Sequence, residues 1–221
     1  AQFDDSLSDR PLFLLANEFF DALPIRQYVK SVRGWCERMV TVDAAGALAF
    51  ALSPVPASDL TIPPDRAFAT DGGVYEISQP SIALVQEIAR VVAHQGGGAL
   101  VVDYGYDTPG FGETLQAVAE HEFAEVLADL GEGDLSAHVD FLTLTARARD
   151  AGASVYGPIG QGDFLEDLGI TQRAEQLGAR NPHAAEAIWK AVDRLVTPEQ
   201  MGTLFKALAI MPKNAPKPPG F

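Results

Sequence analysis

Two short apolar runs, each ending on a carboxylate, constrain this chain more than any other feature. LFLLA (12–16) leads directly into Asn17-Glu18-Phe19-Phe20-Asp21, and ALVV (99–102) ends on Asp103-Tyr104. A short continuous apolar run is how a strand reads when a sheet buries it on both faces, as in a parallel sheet. Ahead of the second run, Ile82, Val85, Ile88 with Ala89, and Val92 recur at helical spacing. Ser78 is placed to cap that helix, Pro80 falls in its first turn, and Gly96-Gly97-Gly98 stop it. A helix followed by a buried strand is half of a βαβ unit, so the chain reads as α/β.

The remaining texture fits around this frame. RQYVKSVRGWCERMVTVDAAGALAFALSPV alternates and is broken by Gly34 and Ala44-Ala45-Gly46, which predicts two or three antiparallel strands with tight turns. SPVPASDLTIPP and DTPGFGETLQ read as loops, and AVAEHEFAEVLADLGEG is either helix or strand plus loop. DLSAHVDFLTLTARARDAG reads as one helix capped by Ser136, with His138 and Asp140 in its first turn. ASVYGPIGQGDF passes from strand to helix near Gln161. Helices broken at Asn181-Pro182 follow, then a last apolar strand in TLFKALAIMP. KNAPKPPGF reads as an extended Pro-rich tail without core residues.

A 47% hydrophobic fraction is enough for a real core. The net charge of -14 repels phosphate backbones, which argues against nucleic acid and makes a cationic protein segment the easier partner. One cysteine, Cys36, allows neither an internal disulfide nor a cysteine-based zinc site and points to a reducing compartment. No apolar run is long enough to span a bilayer, and the acid-rich residues 1–10 do not read as a signal peptide. Abundant Ala and Gly, with Arg favoured over Lys, lean towards a bacterial cytoplasm.

Ligands of open α/β sheets bind outside the carboxyl ends of the strands. Two adjacent parallel strands would therefore bring Asn17, Glu18 and Asp103 to one crevice. The competing reading is that each acid only caps the turn that follows it. Other signatures fail. HEFAE (121–125) has Glu125 where a zincin needs its second histidine, and no Gly-Lys-Ser/Thr, Gly-x-Ser-x-Gly or strand-linked Gly-x-Gly-x-x-Gly occurs.

The blocks ANEFFDALPIRQ, GW with VTVD, GGALVVDYGY, DLSAHVDFLTL, GPIGQGDFLEDLGITQR and MGTLFKALAI together resemble the MidA family from Leu12 to about Met211. Its members are S-adenosylmethionine-dependent methyltransferases. The mitochondrial ones methylate an arginine of a respiratory complex I subunit during assembly. The resemblance implies a Rossmann-like class I methyltransferase sheet with a β-meander insertion (25–56), a helical segment (160–200) and a tail (212–221). It also implies a Gly-rich cofactor loop and a ribose-binding acid upstream of anything in this chain, so that LFLLA corresponds to the family's fourth strand. An apolar edge would then be left for an upstream segment or a second copy to cover.

On that resemblance S-adenosylmethionine is the cofactor and an arginine-bearing protein the substrate. The location is the cytoplasm of a bacterium or the mitochondrial matrix of a eukaryote. Glu18 is the candidate guanidinium clamp, because a carboxylate matches the donors of arginine in bidentate fashion. Asn17 would shape the methyl-transfer position and touch the cofactor. Asp21, Phe20, Asp103, Tyr104, His138 and Asp140 are candidates for the substrate side, with Phe19 an alternative to Phe20 as aromatic wall. The alternative function is a non-catalytic binding or assembly module on the same scaffold.

Overall fold

The computed structural model describes residues 10–58, 60–64, 69–108, 110–119, 122–128 and 131–221. The readings made on residues 1–9 and on His121 of HEFAE lie outside them. In chain order the described strands are β1 (Leu12–Asn17), β2 (Arg26–Ser31), β3 (Gly34–Val42), β4 (Leu48–Leu52), β5 (Val74–Ile77), β6 (Gly97–Tyr106), β7 (Gln116–Ala119), β8 (Glu122–Ala124), β9 (Asp134–Ser136), β10 (Val139–Asp140), β11 (Ser154–Gly160) and β12 (Phe205–Met211). The helices are α1 (Gln79–Gln95), α2 (Phe141–Asp150), α3 (Gln161–Asp167), α4 (Ile170–Arg180) and α5 (Ala185–Val196). They form two compact units. One gathers the described residues up to Phe20, Ser81–Asp107 and Val139–Phe221; the other holds Asp21–Pro80 and Thr108–His138.

The first unit is built on a sheet of order β1-β6-β12-β11, with β10 also paired to β6. β1 and β6 run parallel, Leu12 opposite Gly97 through Asn17 opposite Val102, while β12 is antiparallel to both β6 and β11. The parallel pair and the α/β class expected from the sequence are therefore present. β12 is buried along nearly its whole length, which makes it the centre of the core. Register and pleat separate the two faces. One carries Ala99, Val101 and Asp103 beside Ile210, Leu208 and Lys206. The other carries Val102 with Phe205 and Ala207, and Phe164, Leu100, Tyr104 and Phe221 pack against them. α1 buries Val85, Ile88, Ala89 and Val92, the residues its periodicity singled out.

Several expectations are corrected here. LFLLA is not covered on both faces: Phe13 is 83% and Leu15 70% exposed, because β1 ends the sheet and only the Leu14 and Ala16 side meets the core. β6 does not stop at Asp103 but runs on to Tyr106. DLSAHVDF is not the start of a helix. Ser136 lies in β9, Val139-Asp140 pair with Gly105-Tyr106, and the helix begins only at Phe141. The cap is Asp140, whose carboxylate accepts the Thr143 N–H at 3.0 Å and the Thr143 hydroxyl at 2.8 Å. The tail is not without core residues, since the Phe221 ring centroid lies 5.1 Å from that of Phe164 and Ala215 accepts the Tyr156 hydroxyl at 2.6 Å.

The bare side of β1 has a consequence. Phe13 and Leu15 border a groove of about 340 Å³ lined also by Gly98, Leu100, Met211 and Phe221. A free, uncharged, apolar sheet edge invites pairing with another chain. The isolated chain is expected to elute from gel filtration with an apparent mass that climbs with concentration, and Phe13→Lys with Leu15→Lys to suppress the climb. A concentration-independent monomer of the unsubstituted chain would contradict this.

The second unit contains the expected meander. Its sheet has the order β4-β3-β2-β5 with antiparallel neighbours, and a smaller sheet has the order β8-β7-β9. The unit reaches beyond 25–56 because β5 pairs with β2 and because residues from 110 onward bind back to β5. The Gly112 N–H donates to the Val74 carbonyl at 3.1 Å, and the Thr114 N–H donates to Glu76 at 3.0 Å.

Candidate active site

At the carboxyl end of β1 the chain makes a sharp exit. The Glu18 N–H donates to the Val102 carbonyl at 3.0 Å, the last bond to the neighbouring strand. Glu18 then turns with φ of 47°, in the left-handed region. That region costs a residue with a Cβ roughly 1–2 kcal/mol, so the surroundings must hold it there. Below the turn sits Asp103, with no exposure to solvent. Its Oδ2 accepts the N–H groups of Phe19 at 3.0 Å and Phe20 at 2.9 Å, and its Oδ1 accepts the Tyr104 N–H at 3.0 Å. Two successive amides converging on one carboxylate oxygen form an anion-binding concavity of backbone N–H groups.

Above the turn the side chains face water. Asn17 and Glu18 are both exposed, and the Asn17 amide donates to Glu18 Oε1 at 3.3 Å. Phe19 is 49% exposed and meets Phe20 edge to face at 5.8 Å, while Phe20 is 3% exposed. The arrangement is an open carboxylate, an open carboxamide and an open aromatic ring on one rigid turn. Such a group suits a planar cation that accepts charge pairing on one side and ring contact on the other.

The remaining predicted residues separate from this cluster. Phe20 is a packing residue, so Phe19 is the candidate wall. Asp103 is sealed beneath the turn and offers its charge to backbone amides rather than to a ligand. Tyr104 lies on the opposite sheet face, its ring 5.4 Å from Phe205 at the rim of the core. Asp21 belongs to the second unit, is 9% exposed, and its carbonyl accepts the Ala137 N–H at 3.0 Å. Asp140 caps α2, as described above.

His138 is half-buried in the second unit, its N–H donating to Thr114 Oγ1 at 2.9 Å. Burial holds its imidazole below the usual 6.5, and the charge of Glu76 opposes this in part. Because the folded state binds the proton less readily than the unfolded chain, its contribution to stability is complete above pH 6.5 and declines as the pH falls through the lowered folded value. Melting temperature is expected to fall between pH 7.5 and 5, and His138→Gln to flatten that part of the curve. An unchanged slope in the variant would remove His138 as the cause.

Two charged groups escaped the sequence reading. Lys206, 9% exposed, stands opposite Asp103 in the β6–β12 register and pairs with Asp107 at 3.0 Å. The available signal was a lone cation inside the apolar strand FKALAIM. Glu76 is buried in the second unit, where it accepts Gln27 Nε2 at 2.7 Å and both the N–H and the hydroxyl of Thr114. Among the described residues no cluster of three or more His, Cys, Asp or Glu could hold a metal, and no helix is long and apolar enough to cross a membrane.

The fold is shared with two crystal structures from Burkholderia thailandensis. One superposes with a TM-score of 0.84 at 27% identity, covering 97% of this chain and 59% of that one. The other, solved with S-adenosyl-homocysteine bound, gives 0.79 at 29% identity over 92% of this chain and 54% of its own. The mitochondrial protein arginine methyltransferase NDUFAF7 of Rattus norvegicus is 34% identical over 206 residues, 90% of this chain and 46% of the relative. The Homo sapiens protein of that name is 33% identical over 207 residues, 90% and 45% respectively. The chain thus spans about half the length of the curated relatives it matches. With residues 2–159 matching its profile, the chain belongs to the family of S-adenosyl-L-methionine-dependent methyltransferases.

Proposed function

We propose that this chain supplies the substrate-facing part of a methyltransferase that modifies an arginine side chain of a partner protein. A respiratory complex I subunit is the substrate that the resemblance implies. The observation that carries the proposal is the exposed Asn17-Glu18-Phe19 turn at the carboxyl end of a parallel strand, with Glu18 held at a positive φ. Backbone strain of this kind concentrates at functional sites.

The donor set fits the methyl-bearing end of S-adenosylmethionine, where a carboxamide and a carboxylate stand open at the strand end. When bound, that group supplies an electrophilic sulfonium methyl. The residues of this chain would do the rest. Glu18 draws in the guanidinium and fixes which nitrogen points forward, Asn17 borders the transfer position, and Phe19 walls the planar cation. Held rigidly, these contacts act chiefly by positioning and by fixed charge. The relatives bearing the arginine methyltransferase name carry a mitochondrial label, so the matrix of a mitochondrion or the cytoplasm of a bacterium is the proposed location.

The test is a titration of the full-length protein with S-adenosylmethionine, read as melting temperature, followed by transfer of labelled methyl to an arginine peptide. At a hundredfold excess over Kd the cofactor would stabilise the protein by about 2.7 kcal/mol. Binding without transfer to any arginine peptide or protein would favour a non-catalytic module. No binding would remove the enzyme reading.

A further inference from the structure

We infer that Asp103 is a positioning residue for the proposed transfer. Its buried carboxylate holds the turn that presents Glu18 and Asn17, and it takes no part in contacting substrate. This rests on the reading of Glu18 as the guanidinium clamp.

The geometry leaves little else for Asp103 to do. It is fully buried, and its Oδ2 receives the amides of the two residues that follow Glu18. Its Oδ1 is engaged by the Tyr104 N–H on its own strand. The Glu18 amide is fixed from the other side by the Val102 carbonyl, one residue before Asp103. Two adjacent residues of β6 thus pin three successive amides of the turn, one through a carbonyl and two through a carboxylate. Between those fixed points Glu18 has no relaxed backbone conformation available and takes up φ of 47°. An ionised acceptor suits this task because it is stronger than a neutral one and can serve two donors through a single oxygen. An amide at this position would present one oxygen and one NH₂ group. In either orientation at least one backbone N–H would face a poorer or a repelling partner. The turn would then relax, and a displacement of about 1 Å at a positioned group can cost roughly 100-fold in rate.

The experiment compares Asp103→Asn, Glu18→Gln and the double variant in the full-length protein. Asp103→Asn is expected to lower kcat for arginine methylation by about 100-fold while leaving the affinity for S-adenosylmethionine unchanged. The Phe19 and Phe20 amide protons should move upfield and exchange faster in its NMR spectra. Because Asp103 acts through Glu18, the double variant should be no slower than Glu18→Gln alone, a non-additivity that a merely structural residue would not show. The inference is overturned if Asp103→Asn keeps full activity, if the two losses multiply, or if the two amides are unaffected. Should Asp103→Asn fail to fold, the unsubstituted protein decides. A Glu18 coupling constant and intraresidue NOE that report a negative φ, or fast exchange at Phe19 and Phe20, would overturn it. If Glu18→Gln alone leaves transfer intact, the clamp of the preceding section fails, and the turn-holding role of Asp103 stands or falls on the amide readouts.

Discussion

Glu18→Gln is expected to reduce arginine methylation by about 100- to 1,000-fold, the range seen when one preorganised electrostatic contact is removed from a reacting centre. The substitution keeps size and shape and removes only the charge. Since Glu18 is exposed, its loss should barely change the melting temperature, and cofactor binding should persist. Glu18→Gly sharpens the result. Glycine adopts a positive φ without the steric cost that a Cβ meets there, though it raises the entropy of the unfolded chain. Stability should therefore be unchanged or higher by up to about 1 kcal/mol, while methylation is lost as in the Gln variant. A residue whose removal costs activity and not stability is there for function. Activity that survives Glu18→Gln would sink the clamp, and a Gly variant markedly less stable than the original would contradict the positive φ.

Gly97→Ala should be among the most damaging single substitutions in the chain, at about 3 kcal/mol or more. A Cβ on Gly97 would lie 2.0 Å from the Leu12 carbonyl oxygen, 2.6 Å from its carbon and 2.7 Å from the Leu12 nitrogen. All three are backbone atoms and cannot rotate away. Gly97 also has φ of 94°, which a side chain resists. The Leu12–Gly97 pair is the first rung of the β1–β6 ladder, so the clash would prise β1 away from the end that sets its register. Asn17 and Glu18 sit at the opposite end of the same strand and would lose their placement with it. Gly96 is the control. It has φ of 84° but nothing within 4 Å of a built Cβ, so Gly96→Ala should cost only the conformational term of about 1 kcal/mol. Urea unfolding of the two variants checks the contrast, and equal losses would mean that β1 does not approach β6 as closely as described.

Elements that follow from local pattern were legible in the sequence. α1 could be read from its apolar spacing, the meander from alternation and its glycines, and β12 from an unbroken apolar run. So was the parallel pairing of the two acid-ended strands, because a helix with a buried strand on each side leaves few topologies. What failed was decided at longer range. Ser136 and Asp140 are both good caps in isolation. Pairing of β9 with β7 and of β10 with β6 takes the first and leaves the second to start α2. Phe221 closes an unpromising tail and still docks, because an apolar cluster waits for it.

The sequence by itself determined that acids would stand at the carboxyl ends of two neighbouring strands, since strand length and the punctuation after it are local properties. Only the tertiary structure decided that these acids are unequal. Glu18 faces water on a strained turn, while Asp103, on the adjoining strand, points into the protein and carries that turn on its carboxylate. The difference lies in pleat and register. Which face of a sheet a residue meets, and which amides of the neighbouring strand lie within reach, depend on partners that stand 83 and 84 positions away in the chain.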